Sequence, residues 1–198
     1  MQVNIVLSGV GGQGILTLAS VLGSAAIING FDVRISEVHG MAQRGGSVIC
    51  HVKYGRKVAS PLVMKRMADI IISLEASETL KSLNYLKPGG TIIMSTSQFP
   101  PPLSTIKGLR YPNLNEIFDD IKSVAGEVYI VNANEIARKI GSILTANMVV
   151  LGSAWSTGKL HLTRESIIKS INMNFKEHIA AMNIKAFEEG IKAVKKLL

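Results

Sequence analysis

The chain has 198 residues, 47% of them hydrophobic, which suits one domain with a sizeable core and excludes a disordered protein. Its 22 Lys and Arg against 14 Asp and Glu leave a formal charge of +8. A single cysteine, Cys50, excludes a disulfide framework, a thiolate zinc site and a four-cysteine iron–sulfur cluster held by this chain alone.

That cysteine usage favours a reducing, cytoplasmic compartment. No basic leader followed by an apolar stretch is present, and no run of about 18 apolar residues, so neither export nor a membrane span is expected. The basic excess is spread along the chain without a Lys/Arg run or interleaved aromatics. A solvated basic surface accounts for it, and a nucleic-acid partner is not expected.

In chain order, Val3–Ser8 reads as a buried strand ending in glycines, and the residues after Gly14 keep helical spacing to about Asn29. Gly30 then closes that helix. Phe31–Val38 alternates as a second strand, which makes β–loop–α–β with both strands parallel. His39–Gly46 is a loop and Ser47–Tyr54 a strand, with Gly55-Arg56 expected to turn a hairpin into Lys57–Ala59. Ala68–Glu75 is a core strand and Ala76–Leu83 a short helix. Lys87–Gly90 reads as a turn before a strand at Thr91–Ser95, and Phe99–Pro102 marks a loop. Helix is expected at Asn113–Ser123, strand at Glu127–Val131, helix at Ala133–Lys139 and a buried helix at Asn147–Thr157. Thr163 starts a further helix, and Phe175–Leu198 closes as one long amphipathic helix. The alternation predicts a single α/β domain over 1–198, a three-layer α/β/α arrangement on a mostly parallel, Rossmann-like sheet.

Two segments carry candidate chemistry. Gly9-Val10-Gly11-Gly12-Gln13-Gly14 spells G-x-G-x-x-G between strand and helix, where glycines permit a tight turn and backbone N–H groups approach an anion. Glu37 lies at the end of the second strand, where a ribose-binding acid belongs in a dinucleotide site. The alternative is that these glycines only let helix and strand pack closely. A P-loop is excluded because Ile15-Leu16 follows Gly14.

The second segment, Ser36 to Ser47 (SEVHGMAQRGGS), is a dense polar loop at the same end of the sheet. Arg44 offers a bidentate fork for phosphate, and Gly45-Gly46 offers backbone donors beside it. His39 is an acid, a base or simply a hydrogen-bonding group, and Met41 an apolar surface for a ligand or the core.

Together with Ser60-Pro61, the LKPGG run at Leu86–Gly90 and the segment Asn147–Gly152, these strings resemble the γ-type subunits of 2-oxoacid:ferredoxin oxidoreductases, in particular their indolepyruvate branch. The resemblance spans nearly the whole chain, and EVHGMAQRGG is far more specific than the glycine pattern. It implies oxidative decarboxylation of a 2-oxoacid to an acyl-CoA, with electrons passed to ferredoxin. One cysteine, and no Gly-Asp-Gly segment followed by a paired Asn, leave the iron–sulfur clusters, thiamine diphosphate and magnesium to a larger partner subunit. No catalytic or metal-binding residue is then expected here, and the chain is inactive alone, with self-association of the isolated subunit left open.

The expected contribution is the coenzyme A side of the active site. Gly9, Gly11, Gly12, Gln13 and Gly14 would cradle phosphate or pantetheine. Arg44, Gly45, Gly46 and Ser47 would meet ligand or partner, and His39 and Gln43 would orient polar groups at the mouth. The competing readings are a purely intersubunit loop, a scaffold, and a free-standing NAD(P)-binding oxidoreductase built on the glycines and Glu37. For the last, no Tyr-x-x-x-Lys or His–Asp pairing is found in the remaining sequence.

Overall fold

A computed structural model describes residues 1–39, 45–100 and 110–198, apart from the side chain of His39. Seven strands form one sheet: β1 (Gln2–Val10), β2 (Asp32–His39), β3 (Ser47–Gly55), β4 (Ala68–Ser73), β5 (Leu86–Ser95), β6 (Glu127–Val131) and β7 (Lys195–Lys196). The described residues form seven α-helices: α1 (Ile15–Ile28), α2 (Ala76–Ser82), α3 (Leu114–Lys122), α4 (Ala133–Ile140), α5 (Ala146–Ser156), α6 (Arg164–Asn174) and α7 (Glu177–Ala193). The sheet order is β2-β3-β1-β4-β5-β6-β7. Its core, β1-β4-β5-β6, is parallel, while β3 runs antiparallel to both its neighbours and β7 antiparallel to β6.

Side chains alternate between two cores, as the period of two in a strand demands. Ile5, Leu7, Ile70, Ile72, Cys50 and Tyr54 face the side packed by α1, α4, α5, α6 and α7. Val6, Ile71, Ile92 and Met94 face the other side, covered by α2 and α3. The three-layer α/β/α expectation therefore holds, on a mixed sheet with a parallel core.

Local signals account for most boundaries. Gly30 sits at φ 80 and donates to Ile27 O at 2.9 Å, ending α1 in the left-handed conformation that glycine adopts without strain. Asn113 and Glu116 form a reciprocal capping box at α3. Thr163 caps α6 by accepting from Ser166 N at 3.2 Å.

Four expectations are corrected. β1 and β2 run in the same direction but are not neighbours, because β3 lies between them. The hairpin into Lys57–Ala59 does not form: β3 already has β1 on one edge and β2 on the other, so no edge is free to pair. Lys87–Gly90 belongs to β5 instead of forming a separate turn. The closing helix ends at Ala193. Val194 is extended, and Lys195 and Lys196 pair with Ile130 and Tyr129, adding a short final strand.

Candidate functional site

The site forms where β1 and β4 end side by side. To one side of β1 the sheet continues through antiparallel β3, to the other through parallel β4, so the connections diverge and leave a crevice. β1 leaves the sheet at Val10 and turns back into α1 within four residues.

Gln13 holds that turn. Its Oε1 accepts from Val10 N at 2.8 Å, its own N–H donates to Val10 O at 3.1 Å, and its Nε2 donates to Leu74 O at 3.2 Å at the end of β4. Gly9 is the packing glycine. A Cβ there would stand 2.7 Å from Gln13 Oε1 and 2.9 Å from Ile15 Cδ1. Gly14 starts α1 at φ 80 without a side-chain cap, and a Cβ on it would lie 2.5 Å from Asn147 Nδ2. At Gly12, with φ 102, a Cβ would meet open space.

The two glycine segments meet through their backbones. Gly11 N donates to Gly46 O at 2.8 Å, and Gly45 N to Gly11 O at 3.3 Å. Ser47 opens β3 opposite Val10 and donates its hydroxyl to the buried carboxylate of Glu78. Glu78 also holds Lys81 Nζ at 2.5 Å. His39 ends β2 in register with Val48. Gln43 and Arg44, with Gly40, Met41 and Ala42, lie outside the described residues.

Two of the cavities against the turn meet at Leu144 and Asn147. One, of about 390 Å³, is lined mainly by apolar groups, among them Val10, Leu74, Phe99, Leu144 and Val150. The other, of about 490 Å³, lies between the turn and α7, against Phe175, His178, Ile179 and Met182. Gly12, Gln13, Leu144 and Asn147 line both, and Leu144 is 75% exposed at their junction. The N–H groups of Gly12, Gly14 and the first turn of α1 meet no acceptor among the described residues, and that turn carries no acidic side chain. No Lys or Arg lines either cavity among those residues.

Residues that sequence reasoning passed over turn out to shape the site. The carboxylate of Glu75, fully buried at the end of β4, accepts from Ser77 Oγ and Glu78 N, each at 2.8 Å, from Phe99 N at 3.0 Å, and from the Tyr111 hydroxyl. Burial first, and then the bond to Glu75, push the Tyr111 phenol up to about 12, so it stays a donor. An acid closing the apolar run ADIIISL was the only sequence signal for Glu75. Asn147, buried at the start of α5, donates to Gly14 O at 3.2 Å and accepts from Met148 N at 2.9 Å. A lone amide within an apolar helix was the corresponding clue.

The strand order changes the meaning of Glu37. It pairs with Cys50, which pairs with Leu7 of β1, so Glu37 stands two strands, about 10 Å, from β1. A ribose-binding acid belongs on the strand next to β1. Burial, then the nearby Glu37 charge, push the Cys50 thiol up to about 12. Among the described residues no group of three or more His, Cys, Asp or Glu is placed to hold a metal, and no helix is long and apolar enough to cross a membrane.

A three-layer α/β/α arrangement with a crevice at a glycine turn, bridged through its backbone to a second glycine segment, defines the structural class, an α/β protein on a mixed sheet with a parallel core. Residues 4–193 match the Pyruvate ferredoxin/flavodoxin oxidoreductase family, and the chain belongs to it. It is 39% identical to indolepyruvate oxidoreductase subunit IorB of Thermococcus kodakarensis over 198 residues, covering 100% of this chain and 98% of that one. In fold it is similar to the pyruvate oxidoreductase subunit PORC of Thermotoga maritima, with a TM-score of 0.75, 19% identity and coverage of 100% and 99% of the two chains. It is also similar to the 2-oxoglutarate:ferredoxin oxidoreductase of Magnetococcus marinus solved with 2-oxoglutarate, coenzyme A and succinyl-CoA, with a TM-score of 0.74 and 17% identity. That match covers 96% of this chain and 30% of the other. The chain is thus a subunit of a 2-oxoacid:ferredoxin oxidoreductase.

Proposed function

We propose that this chain completes the coenzyme A side of the active site in an oxidoreductase that converts an aryl pyruvate, with indolepyruvate the leading candidate, to an acyl-CoA. Its larger partner subunit would carry thiamine diphosphate, magnesium and the iron–sulfur clusters and pass electrons to ferredoxin, since one cysteine cannot hold a cluster. The enzyme would work in the cytoplasm. The observation that carries this reading is the pair of apolar cavities converging on the glycine turn.

The residues fit coenzyme A in two respects. An apolar trough along Leu74, Phe99, Leu144 and Val150 suits a pantetheine arm. The N–H groups of Gly12, Gly14 and the start of α1, without an acceptor among the described residues, suit a phosphate oxygen at the positive end of the helix dipole. When bound, coenzyme A supplies the thiol that accepts the acyl group. The chain's own part is to bind and orient: Gln13 fixes the turn, Glu75 holds Phe99 in the cavity wall, and Asn147 sets the start of α1. His39, Gln43 and Arg44 are proposed at the mouth, and Gly45, Gly46 and Ser47 as the loop continuing to the partner. The NAD(P) alternative is disfavoured by the position of Glu37, two strands from β1.

The test is Leu144→Glu in the reconstituted complex. Leu144 is exposed, so folding tolerates the change, and a carboxylate at the junction of both cavities repels phosphate and wets the trough. The KM for coenzyme A should rise about tenfold, with the KM for the 2-oxoacid unchanged, a differential of about 1.4 kcal/mol. An unchanged KM for coenzyme A in an intact complex would overturn the assignment. A rise in Tm with NAD and none with coenzyme A would favour the dehydrogenase reading.

A further inference from the structure

At the opposite end of the sheet, the connection from β3 to β4 has a feature that the ligand cavities do not use. Leu62, Met64 and Met67 are 52%, 75% and 55% exposed, three large apolar side chains within six residues. In the same connection Arg56, Lys57, Lys65 and Arg66 are exposed, the last two between Met64 and Met67, and none forms an ion pair among the described residues. From Arg56 to Ala68 there is no Asp or Glu.

The backbone beneath this patch is pinned. Val63 is buried, and its N–H donates to Nδ1 of the buried His51 at 3.1 Å. Lys53 Nζ donates to Leu62 O at 3.2 Å, Met67 N to Met64 O at 3.2 Å and Arg66 N to Asn84 O at 3.0 Å. Arg66 is held at φ 62, in the left-handed region that a residue with a Cβ enters at a cost. Apolar side chains held outward on a fixed loop are pre-organised for contact, because little further entropy is lost when they are covered. Methionines add a surface that adapts to its partner.

We propose that this loop is a docking face for a companion subunit of the complex, one presenting an apolar patch ringed by Asp and Glu; this rests on the chain working within the oxidoreductase assigned above. The charge pattern commits the occupant: four exposed cations share the connection with the apolar side chains, without an ion-pair partner among the described residues, and the one carboxylate bonded to its backbone, Asp32 on Val58 N, is itself paired with Arg34, so the face repels a second copy of itself and attracts an acidic one. The loop has no helix with one apolar side to lie in a membrane interface and no aromatic residue to stack on a base, which favours protein over lipid or nucleic acid. Gly55 pairs with Gln2 at the amino end of β1, whereas the cavities adjoin Val10 at its carboxyl end. Both faces can therefore be occupied together.

The experiment measures assembly of the full chain with the companion subunits of its oxidoreductase at 50 and 500 mM NaCl. It compares the native chain with Lys65→Glu/Arg66→Glu, with Met64→Ser, and with Leu144→Glu at the cavities. The charge-reversed variant should weaken assembly at least tenfold at low salt and lose most of its salt dependence. Met64→Ser should weaken it severalfold at both salts, while all three variants keep the native Tm. Assembly unchanged in both loop variants would overturn the docking face and leave the coenzyme A assignment standing on its own test. Assembly unchanged, with loss of binding to phosphatidylserine vesicles or to a DNA duplex, would overturn it in favour of those partners. Failure of the native chain to assemble at all would overturn both.

Discussion

Asn147 and Gly14, 133 positions apart in the chain, are joined by one hydrogen bond from the Asn147 amide to the Gly14 carbonyl at 3.2 Å. This bond ties the start of α5 to the start of α1 at the centre of the site. Replacing Asn147 by Ala leaves the Met148 N–H without its acceptor in a buried position, at a cost of about 1–3 kcal/mol. In a chain of this size each kcal/mol lowers Tm by roughly 2–4 °C. Thermal unfolding checks this, and a Tm within one degree of the native value would refute it.

Glu75 satisfies four donors with one carboxylate, two of them from Phe99 and Tyr111. Glu75→Ala leaves the buried Glu78 N–H and three part-buried donors without their acceptor and should cost about 1–3 kcal/mol in urea unfolding. Glu75→Gln keeps the shape but turns an amide NH₂ toward groups that also donate, so it should fall between Ala and the native chain.

The α5–α7 contact is made backbone to backbone. A Cβ on Gly152 would overlap Phe187 O, and one on Gly190 would overlap Val149 O. Ser153 Oγ adds a bond to Gly190 O at 3.0 Å. Either Gly→Ala change should force the helices apart and cost about 1–3 kcal/mol or more, although alanine is the better helix former. A stabilising effect of Gly152→Ala would contradict this packing.

Burial, and secondarily the positive charge of Lys53, hold the His51 imidazole below its usual range. The unfolded chain takes up a proton there near pH 6.5 and the folded chain only at a lower pH. Stability from this group is complete above about pH 6.5 and falls as pH drops through that value toward the folded one. Urea midpoints between pH 7.5 and 5 should show this decline in the native chain and a smaller one in His51→Gln. An equal slope in both would remove His51 as the cause.

The Cys50 thiol, raised to about 12 and buried, is not a nucleophile at neutral pH. Ellman's reagent at pH 8 should leave it unmodified in the native chain and label one equivalent in urea. Rapid labelling without denaturant would overturn the placement of β3 in the sheet interior.

What the sequence determined by itself was most of what depends on near neighbours, the Lys87–Gly90 segment that joins β5 being an exception. Period-two and period-3.6 patterns marked β6 at Glu127–Val131 and the apolar α5. Gly30 and Thr163 marked helix ends, and the glycine turn lay where β1 meets α1. The single cysteine had the same standing, since a count of ligands needs no coordinates.

Only the tertiary structure decided which strands became neighbours. A strand's alternation reports that one face is buried and says nothing about which edge it will pair along. The insertion of β3 between β1 and β2, which moves Glu37 away from the glycine turn, therefore left no mark in the sequence. The Lys195–Lys196 strand was hidden for a related reason: its two charged residues continue a helical pattern, and only the free edge of β6 makes an extended end the better solution. Asn147 and Glu75 read as isolated polar residues because their partners, Gly14, Phe99 and Tyr111, are brought to them by the fold. A buried polar group must find its hydrogen bonds somewhere, and the packing of distant elements settles where.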